Sequence, residues 1–312
     1  MTACTNPAEG VLVCATYLDR AGHAVGFGVT VHASDRPAIA AAEEVVATWS
    51  GVWRTRRVTI AGTTSACETG GTAFGFPCSH VASTTADLDR FIADGHEVVV
   101  IGGAEASDHI TVRSVRDVAA LRVDPARISY IVSPGTVIEE AASVIRALRA
   151  RYPHLRGQHP DGFCYTTSDR MESARAVSAV CDIVFVLGSA SSPETGALAD
   201  VARSSGKPVH IVDDLTHLRP DHLPGAENIG IVVSPSGPPL LCRTVVGALS
   251  GLGPMSLLLR RVSTETIPLD GLLPADWGRL PLQGQRDEAD HQLLGSAALL
   301  AGETSVTTTP AG

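Results

Sequence analysis

The sequence lacks several features that would define other classes of protein. No window of its 312 residues holds about 18 consecutive apolar side chains, so no membrane span and no membrane partner are expected. Residues 1–10 lack a basic region followed by an apolar one, which predicts no secretory signal and a cytoplasmic location. The formal net charge of -9 at pH 7 argues against general nucleic-acid binding, because displacing counterions needs a basic face.

Close pairs of metal ligands are also scarce. The seven cysteines are odd in number, widely spaced and contain no CxxC pair: Cys4, Cys14, Cys67, Cys78, Cys164, Cys181 and Cys242. A zinc site usually contains two ligands about two to four residues apart. Cys78 and His80 have i, i+2 spacing, which points their side chains apart on a helix. The pattern disfavours both a disulfide framework and a zinc site, and packing remains the commoner role of any one cysteine.

Strand and helix patterns alternate from about residue 95 to residue 250. Apolar runs that end in glycine or small polar residues predict strands at 97–103, 128–132, 181–192, 208–214 and 228–237. Amphipathic patterns predict helices at 114–121, 137–153, 171–180, 193–206 and 238–249. This alternation predicts parallel sheets with helices on both faces and polar loops at the carboxyl ends of the strands.

The N-terminal part has a different pattern. Residues 10–33 alternate around a central Asp-Arg-Ala-Gly and predict a hairpin, followed by a helix at 37–51 and a strand at 56–62. Residues 63–76 form a glycine-rich loop in this interpretation. The Thr, Pro and Gly content of the C-terminal tail predicts disorder from about residue 285.

The predicted fold is therefore α/β, with three pseudo-repeated α/β units whose small, mainly parallel sheets surround a central site. The units are a shortened first unit at 1–78, a second at 79–163 and a third at 164–250. A C-terminal extension covers 251–312.

Four loops at predicted strand ends carry reactive or hydrogen-bonding side chains. Cys78 and His80 open a helix in the first loop, Glu105, Asp108 and His109 lie in the second, and the third is "GFCYTTSDR" at 162–170. The fourth site pairs 188–195 with 234–239. Small hydroxyl residues at a helix N-terminus direct backbone N–H groups towards an anion, but each also fits an ordinary N-cap. The candidate substrate-binding residues are Thr166, Thr167, Ser189, Ser192 and Ser236.

Residues 97–270 contain the segments "ISYIV", "GFCYTTSDRMESARAVSAVCDIVFVLGSASSPETGALADVARSSGKPVHIVDD" and "NIGIVVSPSGPPLLCRTVVGAL". On these segments, this part of the chain resembles the 4-hydroxy-3-methylbut-2-enyl diphosphate reductase family. The resemblance implies three α/β units around a [4Fe-4S] cluster, with one cysteine ligand from each unit. It also implies reductive dehydroxylation at an open iron, in isoprenoid biosynthesis, with electrons from a donor such as ferredoxin or flavodoxin.

The resemblance also implies the roles of individual residues. Cys164 matches the third cluster cysteine, and Cys78, in "FPCSHVAS", matches the second. Cys14, in "VCATYLDRA", shares Cys-Ala and Asp-Arg-Ala with the first cysteine motif, and Cys67 is the alternative. Asp108 and Glu105 occupy the region of the family's catalytic acid.

The substrate-binding residues depart from the family pattern. His109 substitutes for the missing diphosphate-binding histidine in this interpretation, and His32 is a loose candidate for a further family histidine. Pro134 replaces a threonine. Of a Ser-Ser-Asn triplet Ser192 is kept, followed by Pro193 and Glu194, and Ser236 matches the last diphosphate serine.

The charge of Glu194 opposes a diphosphate. At about 4 Å and an effective dielectric constant near 20, one such contact costs about 4 kcal/mol, or roughly a thousandfold in affinity. Proline at 134 and 193 also removes N–H donors. The sequence leaves three hypotheses open: a diverged iron–sulfur reductase of another small substrate, a cluster-free relative that binds small molecules or serves a partner subunit, and the family reaction itself.

Overall fold

The computed structural model describes residues 10–62, 78–103, 109–238 and 240–264. The predicted glycine-rich loop, the predicted disordered tail and the candidates Cys67, Glu105 and Asp108 lie outside the described residues. No helix in these ranges is both long and apolar enough to cross a membrane.

Helices and strands alternate along most of the described chain. In order, the elements are β1 (Gly10–Leu18), β2 (Ala24–His32), α1 (Arg36–Ser50), β3 (Arg56–Gly62), α2 (Ser79–Ala93), β4 (Glu97–Ile101), β5 (Ile110–Val112), α3 (Val115–Ala120), β6 (Ile128–Val132), α4 (Ile138–Arg151), β7 (Arg156–Gly157), α5 (Thr166–Ser178), β8 (Ile183–Leu187), α6 (Pro193–Arg203), β9 (Val209–Val212), β10 (Asn228–Val233), α7 (Leu241–Ser250) and β11 (Met255–Arg261). Short 3-10 turns occur at Pro160–Gly162, Leu215–His217 and Pro220–His222.

The N-terminal hairpin is confirmed. β1 and β2 pair in an antiparallel register that places Gly10 opposite His32 and Leu18 opposite Ala24. The side chain of Asp19 closes the turn by accepting hydrogen bonds from the backbone N–H groups of Ala21 and His23. Such an Asx interaction is typical of tight turns.

Two parallel sheets form the remainder of the fold. The five-stranded sheet has the order β11-β3-β10-β8-β9, and the four-stranded sheet has the order β5-β4-β6-β7. All the pairings in both sheets are parallel. Because every strand of a parallel sheet points the same way, each sheet collects its post-strand loops at one edge. The predicted α/β class is confirmed.

Apolar side chains fill both faces of the five-stranded sheet. Phe185, Leu187 and Ile231 lie on the face covered by α7, and Val184, Val186 and Val232 lie on the face covered by α5 and α6. Such strands are apolar along their whole length because both faces are buried. The continuous apolar run "IVFVL" of β8 is therefore explained.

Three features differ from the sequence prediction or extend it. α5 begins at Thr166 rather than at residue 171, so all of "TTSDR" is helical rather than loop. β11 was not predicted; it adds an edge strand beside β3. β3, from the first predicted unit, pairs with β10, from the third. The division into three units stays a prediction.

Candidate active site

The carboxyl ends of both parallel sheets contribute to one cavity of about 570 Å³. The four-stranded sheet supplies the loops after β4 and β6, and the five-stranded sheet supplies the start of α6, which follows β8. The cavity is lined by residues that include Gly102, Arg113, Pro134, Gly135, Pro193 and Glu194. This position is where α/β proteins commonly bind ligands.

The loop after β6 is packed tightly against β4. Thr136 donates a hydrogen bond from Oγ1 to the carbonyl of Ser133 at 2.7 Å. Gly102 has a φ of 78°, and a Cβ there would lie 2.1 Å from Thr136 Oγ1. Only glycine therefore fits at position 102, which explains one of the paired glycines that end β4.

The first turn of α5 lies beside this loop. Ser168 accepts a hydrogen bond at Oγ from the backbone N–H of Ile138, at the start of α4, at 2.9 Å. A Cβ at Gly135 would lie 4.0 Å from Thr167 Oγ1. Among the predicted substrate-binding residues, Thr167 therefore lies near Gly135, which lines the cavity, and its role stays a prediction.

A closed ring of hydroxyl groups lies behind the start of α6. Thr195 Oγ1 is 2.9 Å from Ser234 Oγ and 3.0 Å from Ser236 Oγ, and the two serine oxygens are 3.0 Å apart. Thr195 and Ser234 are buried, whereas Ser236 is exposed. Each hydroxyl can donate one hydrogen bond and accept others, so the ring satisfies its own donors. The sequence pointed to Ser236 but missed its two partners.

Ser192 and Ser189 follow the same strand, β8. Ser192 is the N-cap of α6 and accepts a hydrogen bond from Thr195 N at 3.4 Å, as the N-cap interpretation expected. Ser189 Oγ lies 2.9 Å from Ser191 Oγ. The hydroxyl groups of this loop thus bond within the loop and to the first turn of α6.

Cys164 lies immediately before α5 and is buried. Its exposed fraction is 4%, and its Sγ lies 3.5 Å from Thr166 Oγ1. Cys78 is half-buried at the N-cap of α2, as predicted from the sequence. Both thiols therefore lie near the N-terminus of a helix.

Gln158 connects the segments that contain these two cysteines. Its Nε2 donates to Thr84 Oγ1 in α2 at 3.2 Å and to the carbonyl of Gly162, shortly before Cys164, at 3.3 Å. Its Oε1 accepts from Val132 N at 3.0 Å. Gln158 was not predicted from the sequence, because an isolated glutamine belongs to no recognisable motif.

Cys14 lies on the outer face of the hairpin. It is opposite Gly28 in the register, and it is exposed. The opposite face carries Tyr17, whose hydroxyl donates to the carbonyl of Ser250 at 2.9 Å, and Phe27. Because successive side chains of a strand alternate between faces, Cys14 points away from the face that packs on the protein.

The described cysteines do not fit a three-cysteine cluster site as they are placed. In residues 10–62, 78–103, 109–238 and 240–264, no three His, Cys, Asp or Glu side chains form a group that could hold a metal ion. Cys14, Cys78 and Cys164 all lie in these ranges. The three-cysteine ligand set stays a prediction.

The two predicted histidines lie elsewhere. His109 lies directly before β5, whose first residue, Ile110, pairs with Val99 in β4. His109 therefore lies towards the amino end of the sheet and not at its carboxyl edge. His32 ends β2, is exposed, and has Nδ1 2.7 Å from Ser34 Oγ. The roles assigned to both remain predictions.

Fold and cavity together define an α/β protein with a cavity at the carboxyl edges of two parallel sheets. The family model described as LytB protein matches residues 41–250. The chain belongs to this family.

Curated relatives agree with this assignment. The chain is 34% identical over 203 residues to 4-hydroxy-3-methylbut-2-enyl diphosphate reductase 1 of Mycobacterium tuberculosis, and the match covers 61% of each chain. It is 29% identical over 204 residues to the reductase of the same name from Marinobacter nauticus, covering 60% of this chain and 65% of that one. The matches thus span less than two thirds of these relatives.

A solved structure shares the fold. The E-1-hydroxy-2-methyl-but-2-enyl-4-diphosphate reductase of Plasmodium falciparum matches with a TM-score of 0.50 at 16% sequence identity. The match covers 71% of this chain and 69% of that one. The predicted resemblance is confirmed.

Proposed function

We propose that this chain is a diverged reductase of a small substrate, which binds in the cavity between the two carboxyl edges. The observation that carries the proposal is the convergence of the loops after β4, β6 and β8 on this single cavity. Family membership supports reductive chemistry, since the curated relatives are named as diphosphate reductases.

The charges in the cavity favour a substrate less anionic than a diphosphate. Arg113 is its one cation among the described lining residues, against the carboxylates of Glu140 and Glu194. Pro134 and Pro193 also line it and lack an N–H group. The hydroxyl ring can bind one additional acceptor only by giving up an internal hydrogen bond. These features suit a neutral or singly charged substrate.

The family resemblance implies a [4Fe-4S] cofactor. When bound, such a cluster would supply electrons from a donor such as ferredoxin or flavodoxin. Cys164 and Cys78 are the proposed ligands, with Cys14 or Cys67 as the third. The outward position of Cys14 leaves Cys67, which lies outside the described residues, as the alternative. Asp108, Glu105 and His109 are the proposed acid–base residues, and Ser192, Ser236, Thr166, Thr167 and Ser189 the proposed substrate contacts.

A cluster-free relative, serving as a small-molecule binder or a partner subunit, is the second candidate. The placement of Cys14 on the solvent face of the hairpin favours it. The family reaction itself is disfavoured by Glu194, which would lie among the diphosphate ligands.

Binding of 4-hydroxy-3-methylbut-2-enyl diphosphate tests the proposed substrate class. We expect weak binding to the wild-type chain and a gain of at least about tenfold in Glu194→Gln, since one repulsive charge is removed. Glu43→Gln, which removes an equal charge from exposed α1, should change nothing. Tight binding and rapid turnover by the wild-type chain would show that the charge argument is wrong.

A further inference from the structure

Arg56 is a buried cation without a carboxylate partner in the described chain. Its exposed fraction is 3%. Nη1 donates to the carbonyls of Leu252 at 3.0 Å and Arg54 at 3.3 Å, and Nη2 donates to the carbonyl of Val52. Nε is buried and has no hydrogen-bond partner. A guanidinium has five N–H donors, so the Nε proton and one Nη2 proton have no hydrogen-bond acceptor in the described chain.

A second guanidinium makes this charge more costly. The Nε atom of Arg54 is likewise buried and without a partner. Burial, and then the positive charge of Arg54, lowers the pKa of Arg56 from its ordinary value. Buried charges in proteins are normally paired with an opposite charge, so the buried Arg56 without one indicates a missing anion.

Arg56 lines a cavity of about 670 Å³ at the amino ends of β3 and β11. Strands of the five-stranded sheet are parallel, so this cavity lies at the edge opposite the candidate active site. Its polar lining also includes Arg20, Thr55 and Ser256, and all three are exposed. The site therefore offers two cations and two hydroxyl groups to one ligand.

The single carboxylate in the lining does not neutralise these cations. Asp19 accepts hydrogen bonds from Ala21 N at 2.9 Å and His23 N at 2.8 Å, and its second oxygen lies 3.4 Å from His23 Nδ1. The bond from His23 N in particular holds the pKa of Asp19 below its ordinary value. The carboxylate of Asp19 is therefore hydrogen-bonded within its own turn.

We propose that this cavity binds a small oxyanion, the phosphate or carboxylate group of a metabolite, against Arg56 with Arg20 at the mouth. The Nη2 proton without an acceptor suits an oxyanion, because arginine forms strong charge-assisted hydrogen bonds to phosphate and carboxylate oxygens. Thr55 and Ser256 add hydroxyl donors at the same edge.

Calorimetric titration of the full-length chain tests the site. Inorganic phosphate and malonate are the probes, at constant ionic strength set with sodium chloride. We expect saturable binding of at least one probe, weakened about tenfold by Arg20→Gln and by Arg56→Met. The tighter probe identifies the ligand group as phosphate or carboxylate.

Two variants separate loss of binding from misfolding and from a general effect of charge. Arg20 is exposed and makes no hydrogen bond to the described chain, so Arg20→Gln should fold normally even if Arg56→Met does not. Arg116→Gln removes the same charge from an exposed position on α3 and should leave binding unchanged. Absence of saturable binding by both probes, or equal weakening in Arg116→Gln and Arg20→Gln, would overturn the proposal.

Discussion

The Nε2 atom of Gln158 lies 3.2 Å from Oγ1 of Thr84, a residue 74 positions away in the chain. The amide also bonds to Gly162 and to the end of β6, and Gln158 is only 2% exposed. One buried side chain thus fixes α2 against the turn that precedes Cys164. It determines how the two best-matched cysteine segments are placed relative to each other.

Gln158→Ala should therefore lower the free energy of unfolding by about 2–3 kcal/mol. The substitution leaves Val132 N without its acceptor and Thr84 without its donor, in a region closed to water. Urea unfolding followed by circular dichroism measures the change. Thr84→Val and the double variant complete a cycle, and strictly additive losses would contradict a direct coupling between the two residues.

Thr195→Val should break the hydroxyl ring while keeping the shape of the side chain. Ser234, which is 2% exposed, then loses one of its two partners, and we expect a loss of about 1–2 kcal/mol in unfolding free energy. Ser191→Ala, at an exposed position in the loop after β8, should cost less than about 0.5 kcal/mol. Equal urea midpoints for Thr195→Val and the wild-type protein would mean that the ring contributes no stability.

Two stacked histidines should make the fold sensitive to mild acid. The rings of His210 and His222 have centroids 3.7 Å apart, and both lie near Phe185. Burial lowers the pKa of both, and His222 also lowers that of His210, although Asp221 opposes the shift. The unfolded chain therefore binds protons more readily than the folded one.

The sign of the effect follows from linkage. The stabilising contribution of the two neutral histidines is fully present above the histidine pKa of the unfolded chain, about 6.5. It decreases as the pH falls from there towards their lowered pKa in the folded chain. Thermal unfolding between about pH 7.5 and pH 5 measures the slope. His210→Gln should flatten it, whereas His217→Gln, at an exposed position beside Asp213, should not. A slope unchanged by His210→Gln would rule out this pair as its source.

Local patterns predicted much of the fold but not the contacts that complete it. The hairpin, α1, β3, β6 and β8 follow from alternation and apolar runs, which are short-range properties. The start of α5 was misplaced because Thr, Ser and Asp are typical of caps and loops. In the structure Asp169 instead accepts hydrogen bonds from the backbone and hydroxyl of Thr264, at 2.9 and 2.7 Å.

Long-range contacts account for most of what was missed. β11 is half-exposed, and its pairing with β3, such as Leu257 with Val58, connects distant parts of the chain. Ser236 was predicted from its match to a family position. Thr195 and Ser234 were not, because their contact depends on the pairing of β10 with β8, which the sequence does not show. Hydrogen-bond partners so far apart leave no spacing pattern in the sequence.

Iron binding by cysteine variants tests the central claim most directly. After anaerobic reconstitution, the wild-type chain should hold iron and absorb broadly near about 400 nm, and Cys164→Ser and Cys78→Ser should each abolish the absorbance. Cys181→Ser and Cys242→Ser are matched controls, because both thiols pack in the core and burial raises the pKa of Cys181 to about 11. These two variants should keep the iron. A colourless, iron-free wild-type chain would contradict the reductase proposal and favour the cluster-free relative.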